Sequence, residues 1–410
     1  MRTVVWSIVA LALPTGVALG QPILPVPESA PPMEFGVAHP ANVEGMPYVR
    51  PPMPVAGAPI EVPPGPMFWI DGDYLLWRSN GGLVPPVVVG IYSSANPPLP
   101  IDPRMSFPVS DDHINGDLQS GYRLRAGMWT DKPQGTGFEA IYTSFLHHEV
   151  LNTFFGGWNS ILGRPFVDVN QRSEALLQMS NTLGTLQGVA GVHTQFDSDG
   201  FELNMLRRGP AMIGEQMHWV LGLRYWGLDE SMTIEGASQG GNLRVASFDS
   251  FSTQNRFLGP QFGGQWLWER GRMSIDLGLK IAIGGMRQET TIDGGSTAML
   301  ANGAGIERTG GLLALASNIG DYDRTKLAWM RETSLNIRYR LADNVQLRFG
   351  YEFFWVSNVL RPGNQIDLGV NPTLLPFNNA SLSGPIRPWY RPDGEIFWMH
   401  GFNVGLSVQF

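Results

Sequence analysis

Two short clusters carry the side chains most often used in chemistry. Asp111, Asp112 and His113 are consecutive, and a carboxylate beside an imidazole suits acid–base hydrolysis. They fall in a predicted loop, where a solvated surface cluster is the simpler expectation. No catalytic residue is therefore assigned, and the chain is read as a non-enzyme. His147, His148 and Glu149 have metal-ligand chemistry, but neighbours along a strand point to opposite faces, so no metal is expected. Gly240-Gly241, Gly294-Gly295 and Gly310-Gly311 lack the lysine and the spacing of phosphate-binding loops. The chain contains no cysteine. That excludes disulfides, thiolate zinc sites, iron–sulfur clusters and thiol nucleophiles. No cofactor is expected.

A larger set of charged residues stands out by its spacing: Asp73, Arg123, Arg125, Glu139, Glu202, Arg224, Asp276, Lys280, Arg338, Arg340, Arg348 and Glu352. Each is flanked by apolar residues at alternate positions, so all would line the inside of a closed sheet. Mixed signs allow two readings, a charged eyelet that selects solutes or a self-neutralising network that fills the lumen. For a narrow barrel the second is the expectation. Arg361-Pro362-Gly363 reads as a tight turn of type II, with the arginine only anchoring it.

The elements that must hold these residues have period two, the strand signal. Met273, Ile275, Leu277, Leu279, Ile281 and Ile283 alternate with Ser274, Asp276, Gly278, Lys280 and Ala282. Val345, Leu347, Phe349, Tyr351, Phe353 and Trp355 do the same. So do Phe402, Val404, Leu406, Val408 and Phe410, which close the chain as a C-terminal strand of the kind that assembly machinery recognises. Strands are expected near 68–78, 120–130, 136–146, 199–207, 217–228, 255–269, 272–284, 326–341, 345–357 and 395–410. Connections around 131–135, 208–216, 270–271 and 342–344 are short. Those around 79–119, 147–198, 229–254, 285–325 and 358–394 are long. This parity predicts an all-β, transmembrane, antiparallel up-and-down barrel of about ten strands, with tight periplasmic turns and long outer loops. The stretch 229–254 could add a hairpin and raise the count to twelve.

Closure is a physical requirement, because an unpaired backbone amide in hydrocarbon costs several kcal/mol. Trp266/Trp268, Phe353/Phe354/Trp355 and Phe397/Trp398 read as interfacial girdles.

Composition agrees with this class. The 410 residues carry a net charge of −8, only 16% are charged, and 50 are glycine. The acidic balance argues against nucleic acid, which needs a basic footprint. Arg2, the apolar run Val4–Val17 and Ala18-Leu19-Gly20 have the layout of a secretory signal peptide over 1–20. Prolines recur through 21–66, which reads as an extended periplasmic tether. The barrel would occupy 67–410, in the outer membrane of a Gram-negative cell.

The residues also resemble a known group, the β-barrel porins of planctomycete bacteria catalogued as family number seven. The resemblance rests on Asp73-Tyr74-Leu75-Leu76-Trp77 with Pro85-Pro86-Val87-Val88, and on Tyr122 to Trp129 with Gly137 to Tyr142. Its most specific part is Gly350-Tyr351-Glu352-Phe353-Phe354-Trp355, then Asn358 to Asp367, then Gly401 to Leu406. It covers roughly 68–410. The resemblance implies an outer-membrane barrel, with no known substrate and no catalytic residues. The expected partners are outer-membrane lipid and, during insertion, the barrel assembly machinery. Three functions follow: a passive channel for small solutes, a surface-display barrel with a plugged lumen, and, more remotely, a hydrolase at the rim.

Overall fold

The computed structural model describes residues 68–91, 113–131, 135–157, 160–209 and 216–410. The expected leader, the proline tether, Asp111 and Asp112 lie outside these residues. Of His113 only the backbone is described. Among the described residues no helix is long and apolar enough to cross a membrane.

Ten long strands form the wall: β1 Phe68–Ser79, β2 Leu118–Asp131, β3 Thr136–Gly156, β4 Leu186–Arg208, β5 Gln216–Gly240, β6 Leu243–Arg270, β7 Met273–Leu300, β8 Gly320–Ala342, β9 Val345–Leu360 and β10 Gly394–Gln409. Each pairs antiparallel with the next, and β10 pairs with β1. The sheet is therefore a closed antiparallel meander of ten strands. At the seam Phe410 donates its N–H to the Phe68 carbonyl at 2.9 Å. Closure leaves the wall no free sheet edge, as a lipid-facing sheet requires.

The strand count is ten rather than twelve, because 229–254 makes no separate hairpin. It is the upper continuation of β5 and β6, which pair without interruption to a two-residue turn between Gly240 and Leu243. Gly241 takes φ 58° there, and Gly271 takes φ 62° in the β6–β7 turn at the other end. Both are the first central residue of a two-residue hairpin, where positive φ suits glycine. Three more stretches read as loops are largely strand: β3 runs on to Gly156, β7 to Leu300, and β4 starts back at Leu186.

The expected boundaries stop short for a definable reason. In the lower wall the outward row is apolar, as in Trp219, Leu221 and Leu223 of β5, all exposed. Higher up the outward row turns polar at Asp229 of β5, Arg256 of β6 and Arg287 of β7, and the inward row becomes apolar instead. Met232, Ile234, Phe251 and Ile292 are fully buried inside. The alternation thus persists but changes phase where the wall leaves lipid. A 28-residue strand such as β7 rises about 70 Å at a tilt near 40°, against an apolar band of about 25 Å.

The girdle residues divide by the same parity. Phe353 is exposed outward, whereas Phe354 and Phe397 are buried inside the barrel. Adjacent aromatics on a strand cannot share a face.

Candidate functional site

The chemistry-bearing residues converge in the lumen, stacked in layers. The lowest layer is ionic. Arg123 of β2 makes a two-pronged bond to Glu352 of β9, at 2.5 and 2.6 Å. Arg348 of β9 reaches Asp73 of β1, with one contact at 3.0 Å, and Asp71 at 3.0 Å. Arg125 lies 3.4 Å from Asp71 and 3.3 Å from Glu139. Lys280 of β7 bridges Glu202 of β4 at 2.8 Å and Glu332 of β8 at 2.7 Å. Arg224 of β5 pairs with Glu332, and Arg338 pairs with Asp276. Asn204, Gln261 and Asn403 donate amide hydrogens to Glu139, Glu202 and Glu352.

Three of these bridges span the lumen. Arg123–Glu352, Arg224–Glu332 and Lys280–Glu202 join strands that are three apart around the wall. Seven carboxylates (Asp71, Asp73, Glu139, Glu202, Asp276, Glu332, Glu352) face six cations (Arg123, Arg125, Arg224, Lys280, Arg338, Arg348). The layer is close to neutral and its members are buried, apart from the half-buried Arg125 and Arg338. Charge balance is the condition under which so many ions tolerate removal from water.

An apolar layer lies directly above. Leu75, Trp77, Phe145, Phe196, Trp226, Leu228, Phe257, Met286, Met330, Phe354, Phe397 and Met399 form one cluster contributed by nine of the ten strands. It is tied to the ions by cation–π contacts, Arg123 over Trp77 at 5.6 Å and Arg224 over Phe354 at 5.1 Å. Between the layers a void of about 30 Å³ remains, lined in part by Ser198, Gly200 and Glu202. That is room for about one water.

A third layer is polar and centres on Arg361. This side chain is wholly buried, pairs with Glu230 at 2.8 Å, donates to the Gly81 carbonyl at 3.1 Å and stacks over Phe397 at 5.2 Å. Asn115 also donates to Glu230, at 2.8 Å. The anchoring role expected for Arg361 is corrected accordingly. Residues Pro362–Gln365 form a 3-10 turn, not a type II turn, and the guanidinium reaches across the lumen to β5.

The top layer is a second apolar cluster built from inward-folded loops and upper strands, including Val87, Val88, Leu162, Met179, Val192, Ile234 and Leu312 to Leu315. At its heart Arg164 pairs with Asp249 at 2.5 Å, both fully buried. The other Asp249 oxygen accepts the N–H groups of Leu312, Leu313 and Ala314 at 2.7–2.9 Å. A Cβ on Gly311 would stand 2.2 Å from that oxygen, so only glycine permits this approach.

Arg340 alone of the twelve expected lumen residues is exposed, beside the β6–β7 turn, where its N–H bonds to the Arg272 carbonyl. It has inward parity but sits below the ionic layer at a register shift. Asp71 and Glu332 also join the layer, each on the inward parity of an expected lumen residue of its own strand, Asp73 and Arg338. Glu230, Arg164 and Asp249 lie in stretches read as loops. The spelling Gly236-Ala237-Ser238-Gln239-Gly240 matches the Gly-x-Ser-x-Gly pattern of a nucleophile elbow. It is regular β5 strand paired on both sides, without the sharp strand-to-helix turn such a serine needs.

The histidine cluster lies outside the barrel, above the apolar rows. His147 and Glu149 share a face as i and i+2, and a register shift in β3 between Phe145 and His148 turns that face outward. His147 Nδ1 is 2.8 Å from Asp197 and its Nε2 is 3.7 Å from Glu149, while His193 reaches Glu149 at 2.5 Å. Hydrogen bonding and the charge of Asp197 raise the His147 pKa above the ordinary imidazole value. Among the described residues no group of three or more ligands is arranged to hold a metal ion.

The C-terminal pattern occupies one outward row of β10, continued by Phe410 directly after the strand. Phe402, Val404, Leu406 and Phe410 are exposed and Val408 is half-buried.

A family model described as "Putative beta barrel porin-7" matches residues 69–410. No curated protein matches the chain. Among solved structures, the outer membrane protease OmpT from Escherichia coli is similar at 9% identity, over 84% of this chain and 97% of that one, with a TM-score of 0.38. The TodX monoaromatic hydrocarbon channel is similar at 11% identity, over 85% and 91%, with a TM-score of 0.22.

Proposed function

The chain belongs to this β-barrel porin family, and from that premise and the filled interior we propose an outer-membrane barrel closed to free diffusion. Its ten strands anchor a folded cap outside the membrane, and it works as a structural or surface-display protein. One observation carries the reading: buried ion pairs cross the lumen between strands three apart, and an apolar layer covers them. A solute would have to part buried charge pairs and the apolar layer packed over them. Removing one partner of such a pair costs about 3–5 kcal/mol.

The deciding experiment is single-channel recording of the refolded full-length protein in planar bilayers. The expected record is stable insertion without steady conductance steps. Ohmic steps of constant size would overturn the closed reading in favour of passive diffusion of small solutes, the role that the family description favours. In either case the partners are outer-membrane lipid along the apolar rows and assembly machinery at Phe402, Val404, Leu406, Val408 and Phe410. The charged residues serve to fill and brace the lumen, with no catalysis.

A further inference from the structure

One cation breaks the pattern of the lipid-facing rows. On β8 the outward residues Leu327, Trp329, Arg331, Thr333, Leu335, Ile337 and Tyr339 are all exposed. Arg331 stands among them, opposite Ile281 of β7 and Trp355 of β9. Its guanidinium carbon lies 5.7 Å over the Trp355 ring. No carboxylate among the described residues pairs with it. Two outward cations higher on the wall behave differently: Arg256 holds Asp229 at 2.6 Å and Arg287 holds Glu289 at 2.7 Å. Those two cations find their counter-ions on the wall itself. At the level of Arg331 it supplies none.

Depth identifies what is missing. From Tyr339 up to Arg331 is eight residues, about 26 Å of strand and about 20 Å of height at a tilt near 40°. The guanidinium therefore sits near the outer edge of an apolar band about 25 Å tall. Trp398 pairs with Trp355 in register and packs on His400 at 5.4 Å and on Phe353 at 6.3 Å, which marks an aromatic interface at that edge. An unpaired arginine at the midplane costs about 2–4 kcal/mol, and close to nothing where it meets headgroups. The anionic group abundant at that depth is a lipid phosphate, whose oxygens a guanidinium binds in two-pronged fashion.

We propose that Arg331, resting on the Trp355 face, is a binding site for the phosphate headgroup of an anionic outer-leaflet lipid. This rests on the membrane-spanning reading above. Ile281 and Trp329 beside the guanidinium receive the acyl chain, which a free anion lacks.

The test compares the refolded protein with Arg331→Gln and Arg331→Lys in vesicles of phosphatidylcholine containing phosphatidylglycerol. Lipids that survive detergent extraction are counted by native mass spectrometry, and a heat-sensitive gel shift verifies each fold. The expected result is several-fold enrichment of phosphatidylglycerol on the parent protein, lost in Arg331→Gln, largely kept in Arg331→Lys, and unaffected by added inorganic phosphate. Equal retention of both lipids, or enrichment that survives Arg331→Gln, overturns the site. Displacement by inorganic phosphate overturns the lipid assignment. Failure to enter vesicles of phosphatidylcholine alone would sink the membrane reading itself.

Discussion

A buried ion pair tolerates loss of both partners better than loss of one, and the lumen offers a clear case. Glu352→Gln leaves Arg123 charged and enclosed, with its two-pronged partner gone. Urea titration in vesicles should show a loss of about 3–5 kcal/mol, whereas the double replacement Arg123→Met with Glu352→Leu should fall much closer to the parent. An equal loss in the double variant would mean that the pair stabilises the barrel outright.

The exposed His147 gives a pH prediction. Its folded pKa is raised by Asp197, so the protonated form is favoured in the folded state. The resulting stabilisation is complete below the unfolded value of about 6.5 and fades as pH rises through the higher folded value. An NMR titration of the His147 ring should show a midpoint above that of a free imidazole, returning toward it in Asp197→Asn. An unchanged midpoint would remove the pairing.

Individual strands carry two messages, one for each face. On β10 the outward row Phe402, Val404, Leu406, Val408 and Phe410 meets lipid, while Asn403 on the other parity bonds to Glu352. Leu406→Arg should therefore cost about 2–4 kcal/mol if it lies near the midplane, measured by refolding equilibria in vesicles. If the same row also serves as the assembly signal, Phe410→Ala should lower the amount reaching the outer membrane in cells. Unassisted refolding in vitro should proceed much as before. Parallel loss in both settings would assign Phe410 to stability alone. The phase reversal along β5, β6 and β7 likewise belongs to this scale. It explains why ten strands are recognisable while the upper parts of β5, β6 and β7 read as loops: lipid-facing leucines stop, and the signal that remains is the inward one of Met232, Ile234 and Phe251.

At the level of the whole molecule, barrel and cap are joined by a few buried charges. Arg361 links the chain after β9 to Glu230 on β5, and Arg164 links the β3–β4 connection to Asp249 on β6. Arg361→Met strands Glu230 without its cation. Limited proteolysis should then cut more readily within 361–393, while the heat-sensitive gel shift of the barrel persists. Unchanged cleavage would show that the apolar packing of the cap is sufficient without this pair.

The amino-acid order alone determined the wall. Period-two apolar rows and short turns at one end dictate a closed antiparallel meander, because hydrocarbon allows no unpaired amide and turns every second side chain to lipid. Parity alone also selects most of the lumen ions, and the same rule covers Asp71 and Glu332. Tertiary structure decided what parity cannot express. Which cation meets which carboxylate depends on strands three apart around a cylinder. Arg361, Arg164 and Asp249 have local sequences that look like ordinary loops, and they became central because distant connections fold back into the lumen, where an ion without a partner could not stay.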